Sequence, residues 1–152
     1  MTVLAILDTT VIVAGVLASH PHHAPCRQHL QAAAATPGTY RCSTHAIAEA
    51  FRVLVALPLA PRIDAAGARL VLRTTIIPRL DPIALTMKDY DAALDLVCAS
   101  GLGSGAVYDA LHLLAADRAG AKWLVTANGK HFNRLAEVAK SRVRVVDPAA
   151  SN

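Results

Sequence analysis

Val3-Leu-Ala-Ile-Leu7 is an unbroken apolar run that stops on a carboxylate, Asp8, followed by Thr9 and Thr10. A short continuous run, with no polar alternation, is the signature of a strand buried on both faces. The apolar positions that follow, Ile12 and Gly15/Val16, fall at helical spacing. A buried strand feeding directly into a helix opens a parallel sheet whose two faces are covered by helices.

Read outward from that unit, the chain keeps alternating. The break His20-Pro-His-His-Ala-Pro25 separates the first helix from a second over Pro25 to Ala35. Tyr40 to Cys42 forms a short strand, and Ser43 or Thr44 caps a helix running through Leu57. Ala65 to Arg73 is helical. Thr75-Ile-Ile-Pro-Arg-Leu80 is a strand placed at a sheet edge by Pro78. Thr86-Met-Lys-Asp89 has the form of a capping box and opens a helix through Cys98. A Gly101-Leu-Gly-Ser-Gly105 loop leads to a helix over Val107 to Arg118, stopped by Gly120. A strand at Trp123 to Thr126, a helix over Phe132 to Val138 and a strand at Val143 to Val146 complete the chain. The expectation is an α/β fold with a central, mostly parallel sheet of about five strands.

Composition narrows the class. The chain has 152 residues, 54% hydrophobic and 17% charged, with a mean hydropathy of +0.39. That length buries roughly two-thirds of the unfolded surface, enough for one core. A single domain over 1–148 with a tail at 149–152 is expected, and disorder is excluded. The longest apolar stretch, Val11 to Ala18, is far short of the ~20 residues a membrane span needs. The N-terminal run lacks a basic leader and carries Asp8 where a signal peptide is apolar, so a cytoplasmic location is expected. Cys26, Cys42 and Cys98 show no metal or redox spacing and read as reduced thiols. Fifteen Lys and Arg against eleven Asp and Glu give a net charge of +4, a bias towards polyanionic partners. The apolar excess implies surface covered by a second subunit or a partner.

Sites in parallel sheets form at the carboxyl ends of the strands. Asp8 follows the first strand, and Asn128 follows the Trp123 strand. Glu49 and Asp109 lie early in helices that start near the same edge. Three carboxylates and an amide can therefore converge from distant points of the chain. Converging carboxylates raise one another's pKa values, and a hard divalent cation such as Mg²⁺ or Mn²⁺ resolves that conflict. Acids gathered inside a basic protein describe a metal-dependent nuclease. Each residue also has a plainer role. Asp8 can cap a helix, Glu49 can pair with Arg52, Asp109 with His112, and Asn128-Gly129 can be a turn. Lys130, His131, Arg134, Lys140, Arg142 and Arg144 make the C-terminal part basic, with Lys130 and Arg134 placed to hold an RNA backbone. A haloacid-dehalogenase-like phosphatase is disfavoured because Thr10 stands where its second acid belongs, and a receiver domain because no acid pair is in place.

Four blocks, Leu4-Ala-Ile-Leu-Asp8-Thr-Thr-Val-Ile-Val13, Cys42-Ser-Thr-His-Ala-Ile-Ala-Glu49-Ala-Phe51, Val107-Tyr-Asp109-Ala-Leu-His-Leu-Leu-Ala115 and Leu124-Val-Thr-Ala-Asn128-Gly-Lys-His-Phe132, together resemble the PIN domain. More narrowly they resemble the VapC-type toxins of bacterial toxin–antitoxin pairs. The resemblance spans nearly the whole chain. It implies a three-layer, Rossmann-like α/β/α domain acting as an Mg²⁺- or Mn²⁺-dependent endoribonuclease. It makes Asp8, Glu49 and Asp109 the acidic ligands, with Asn128 at a fourth position where the family often has Asp, and Thr126 as the supporting hydroxyl. It further implies a homodimer held inactive by a cognate antitoxin. Asn128 adds no charge, so one ion held mainly by Asp8 and Asp109 is expected to suffice. The same substitution motivates the alternative, a catalytically weak module that binds RNA or antitoxin.

Overall fold

Successive side chains of the first strand point into two different cores. A computed structural model describes residues 2–150, so Met1 and the last two residues of the 149–152 tail lie outside the described residues. In it the chain runs β1 (Ala5–Leu7), α1 (Thr9–Val16), α2 (His23–Ala35), β2 (Tyr40–Arg41), α3 (Thr44–Ala56), α4 (Ala65–Val71), a π-helical turn (Leu72–Ile76), α5 (Ile77–Leu80), α6 (Met87–Ser100), α7 (Ala106–Arg118), β3 (Trp123–Val125), α8 (Gly129–Ala139) and β4 (Arg144–Val146). Ala5, Leu7 and Val125 join a core made with α1 to α5. Ile6 and Leu124 join a second core made with α6, α7 and α8. Period-two alternation on strands buried on both faces thus produces a three-layer α/β/α arrangement.

The sheet has four parallel strands in the order β2-β1-β3-β4. The fifth strand expected at Thr75–Leu80 is absent. That segment is helical, running from α4 through the π turn into α5. Ala68, Leu72, Ile76 and Leu80 are all buried. Their spacing of four gives one face of a helix, and this outweighs the strand preference of Thr75-Ile76-Ile77. Pro78 lies in the first turn of α5, where a missing N–H costs nothing. The sheet is extended past β2 only by a single bridge between Ser43 and Ile83.

Side-chain caps begin α1, α3 and α6. Asp8 accepts from Val11 N at the start of α1, and Ser43 from Ala46 N at the start of α3. Thr86 and Asp89 form a reciprocal capping box on α6. Gly15 permits the close approach of α2 to α1, since a Cβ there would lie 2.6 Å from Leu30 Cδ1.

Candidate active site

From β1 the chain passes to β2 on one side, and later places β3 on the other. The crevice at such a reversal is where open parallel sheets place ligands. Asp8 leaves β1 at that point and Thr126 leaves β3 beside it, with Asp8 N donating to Val125 O at 3.2 Å.

Asp8 is buried, with 2% exposure. Its Oδ1 accepts from Val11 N (3.2 Å) and Thr10 Oγ1 (2.6 Å), and its Oδ2 from Thr126 Oγ1 (2.6 Å). It is therefore a helix cap and an edge carboxylate at once. Burial pushes its carboxyl above the usual range, against the pull of nearby His112 and these three donors. Thr126 Oγ1 also accepts from Asn128 N (2.9 Å), and Thr10 Oγ1 from Ala127 N (3.1 Å). The loop after β3 is thus stitched to the residues around Asp8.

Asp109 and Asn128 meet at that loop. Asn128 Nδ2 donates to Asp109 Oδ2 at 3.3 Å, and His131 Nδ1 lies 3.2 Å from the same oxygen. Burial raises the Asp109 carboxyl, and the charge of Asp8 raises it further against the pull of His131 and His112. The two aspartates therefore feel each other's charge across the crevice.

Glu49 is held differently. Its Oε2 accepts from Thr9 Oγ1 at 2.8 Å and lies 3.1 Å from His112 Nε2. The Arg52 pairing does not form among the described residues, and His112 turns to Glu49 instead of Asp109. On the far side of the ring, His112 Nδ1 lies 2.9 Å from Ser43 Oγ, which already accepts from Ala46 N. The Ser43 hydrogen is then free to go to Nδ1. That leaves the ring proton on Nε2, donated to Glu49. Both donors end on Oε2, so Oε1 is the uncommitted oxygen. Burial pushes the Glu49 carboxyl up, but the bonds from His112 and Thr9, with the nearby His112 and His45, together hold it below the usual range.

His112, Ser43 and His45 were not foreseen as site residues. His112 sits at 2% exposure among Leu111, Leu113 and Ala110. A histidine in so apolar a helix was a signal, because buried polar groups need partners. Spacing within one helix could not say that the partner lies on α3. His45 stacks on Tyr108 at 4.9 Å with planes 4° apart. Its Nε2 is buried without a hydrogen-bond partner, 3.7 Å from Glu49 Oε2. Burial lowers the pKa of this ring.

Asp8, Glu49, Asp109 and Asn128 thus share one rim. Among the described residues, however, no three His, Cys, Asp or Glu side chains close on one ion-sized point. The donor chemistry still suits Mg²⁺ or Mn²⁺. Such ions take oxygen donors, need only about one or two carboxylates and keep several waters. Asp8 and Asp109 are such a pair, each with its carboxyl raised by burial.

A model of the PIN domain family matches residues 5–138. This chain belongs to the PIN-domain family. No curated protein matches it in sequence. Among solved structures, this PIN domain is similar to FitAB bound to a DNA fragment (TM-score 0.70, 12% identity, covering 98% of each chain). It is also similar to VapC20 of Mycobacterium tuberculosis, a sarcin–ricin-loop-cleaving toxin (TM-score 0.65, 17% identity, 84% of this chain and 92% of that one). A third is VapBC-1 of nontypeable Haemophilus influenzae (TM-score 0.62, 15% identity, 97% and 99%). Of the basic residues in this PIN domain, Lys130 is exposed in the first turn of α8. Arg134 is tied down, with Nε donating to Ser100 O (3.1 Å) and Nη1 to Glu137 Oε2 (3.2 Å).

Proposed function

We propose that this PIN domain is a divalent-metal-dependent endoribonuclease and the toxin of a toxin–antitoxin pair. The observation that carries the reading is the pair formed by buried Asp8 and half-buried Asp109 at the switch point of the sheet, each with its carboxyl raised by desolvation and, among the described residues, with no Lys or Arg paired to it. Buried like charges without a fixed cation are costly to stability, and such sites are characteristically functional. Asp8 and Asp109 would hold Mg²⁺ or Mn²⁺, with Glu49 and Asn128 on the same rim and Thr126 fixing Asp8. A bound ion supplies Lewis acidity to a phosphodiester and to water. Glu49 Oε1, the oxygen left open by Thr9 and His112, takes the proton of the attacking water. Lys130 meets the RNA backbone first, and Arg134 joins through Nη2, which its bonds to Ser100 O and Glu137 leave open.

The likeness to a loop-cleaving toxin supports RNA as substrate. The likeness to FitAB and VapBC-1 supports an antitoxin partner. Exposed Phe51, Leu70 and Ile77 offer apolar surface for the homodimer, which sedimentation would detect. Among the described residues no helix is long and apolar enough to cross a membrane, and a cytoplasmic toxin of one domain over 1–148 is part of the proposal.

The test is cleavage of single-stranded and looped RNA by the purified protein. Cleavage is expected with Mg²⁺ or Mn²⁺ and lost in excess EDTA; equal cleavage in EDTA overturns the reading. One observation favours the second reading, a weak or inactive binding module: Asn128 presents its Nδ2 to Asp109 in place of a further carboxylate. That reading expects salt-dependent RNA binding without turnover, and Asn128→Asp would then create activity.

A further inference from the structure

We propose that a chamber between α1, α2 and α3 seats one nucleobase next to the scissile phosphate and selects a base that carries an exocyclic amino group. The proposal rests on the nuclease reading and deepens it. The chamber has a volume of about 390 Å³, inside the range of single small-ligand sites. Its walls are apolar: Val13 and Ala14 of α1, Cys26 of α2, Val53 of α3 and Leu57 just past its end. Its inner end is lined by Thr9, Thr10 and Glu49, where Thr10 donates to Asp8 and Thr9 to Glu49. An occupant is therefore joined to whatever group sits at the acids. Its outer end is bounded by His20 and His22, whose rings lie 5.8 Å apart and tilted by 45°.

Apolar walls with polar ends fit a flat group that is apolar on its faces and polar at its edge. A nucleobase has that form, and bases of unpaired RNA are commonly seated against imidazole and other flat side chains.

The hydrogen-bond inventory decides which base. Thr9 Oγ1 spends its hydrogen on Glu49 Oε2, and Thr10 Oγ1 spends its own on Asp8 Oδ1. What remains at the inner end is acceptors: hydroxyl lone pairs and the carboxylate of Glu49. At the outer end, His22 N donates to His20 Nδ1 at 3.1 Å, so the neutral ring carries its proton on Nε2 and can donate. An acceptor end facing a donor end matches a base with an amino group on one edge and an acceptor on the opposite one, as adenine has in its N6 amino group and N3 and cytosine in its N4 amino group and O2. Uracil seated the same way presents O4 where the inner end also accepts; turning its N3–H inward brings the two flanking carbonyls against those acceptors, and an unmatched buried polar group is costly.

The experiment measures binding apart from cutting. Fluorescein-labelled tetraribonucleotides, differing only in one central base, are titrated in EDTA and followed by anisotropy. Adenosine and cytidine are expected to bind about tenfold more tightly than uridine, the effect of one added hydrogen bond to a charged acceptor. Purine riboside, which lacks only the amino group of adenosine, should fall to the uridine level. Val53→Phe, which fills the chamber, and His20→Ala, which removes the donor at the outer end, should each shrink the preference towards one. Cleavage rates on the same set with Mn²⁺ should follow the same order.

Equal binding of all the tetranucleotides overturns the subsite, whether or not the protein cuts. Selective binding by a protein that cuts no RNA upholds the subsite and removes the nuclease reading. Selectivity that survives both substitutions overturns the assignment of the chamber. So does a result in which they relieve inhibition by a protein partner and leave base preference intact, since the chamber then belongs to that partner.

Discussion

Asp8 and Asp89 each accept three hydrogen bonds, yet their carboxyls shift in opposite directions. Asp89 closes the capping box of α6, taking Thr86 N (2.6 Å), Thr86 Oγ1 (2.8 Å) and Arg118 Nη1 (2.9 Å) on Oδ2. The bonds from Thr86, helped by Arg118, hold it below the usual range. Asp8 has equally good donors but is buried, and desolvation overrides them. The difference teaches that donor count does not set the sign; access to water and a fixed cation do. One acid serves the fold alone, whereas the other caps α1 at a desolvation cost, which the proposed function accounts for.

The sharpest way to break this contrast is Asp8→Asn. RNA cleavage should fall on the order of 10³-fold, the scale of losing one preorganised electrostatic group, while the thermal midpoint in EDTA rises because the amide keeps the cap without the buried charge. A variant that stays active, or that melts earlier in EDTA, would place Asp8 with Asp89 as a structural acid.

His112→Ala should lower kcat about 10- to 100-fold, as for residues that orient a ligating or reacting group. KM should change little, and His112→Gln, which restores a donor, should recover part of the loss. A KM effect alone would mean that His112 does not orient Glu49.

The raised and the lowered carboxyls predict opposite pH responses. A raised carboxyl binds more protons folded than unfolded, so stability falls as pH rises from the ordinary 3.8 of Asp8 and Asp109 through their folded values. Lowered carboxyls do the reverse. The contributions of Asp89 and Glu49 are present above 3.8 and 4.5, and are lost as pH falls through their folded values. Melting followed against pH in EDTA should show both limbs, with Mg²⁺ suppressing only the loss on the rising side. The smallest effect is Thr86→Ala. It should cost about 1 kcal/mol, the usual value of a cap, with unchanged cleavage; altered cleavage would join the two regions.

Most of the frame could be read in the residues because it rests on short-range pattern. Val3–Leu7 announced β1, Thr86-x-x-Asp89 announced α6, and the carboxyl-edge rule placed Asp8, Asp109 and Asn128 near one another. Thr75–Leu80 has the β-branched composition of a strand but the period of a helix, and the period decides. The four-residue spacing of Ala68, Leu72, Ile76 and Leu80 carried the correct answer. In the site, the acids could be found from strand ends, but not who holds them. Glu49 is gripped by Thr9 from α1 and His112 from α7, 40 and 63 residues away in sequence, and no local spacing encodes such a meeting.

The Ser43 hydroxyl has a double duty. One oxygen atom fixes where α3 begins, and its hydrogen meets Nδ1 of a ring on another helix whose Nε2 proton is held by Glu49. Secondary structure and acid–base poise are therefore inherited together here. Drift at this position cannot retune the carboxylate of Glu49 without also loosening the helix that carries it. A double-mutant cycle between Ser43 and His112 would read that shared inheritance as a coupling energy.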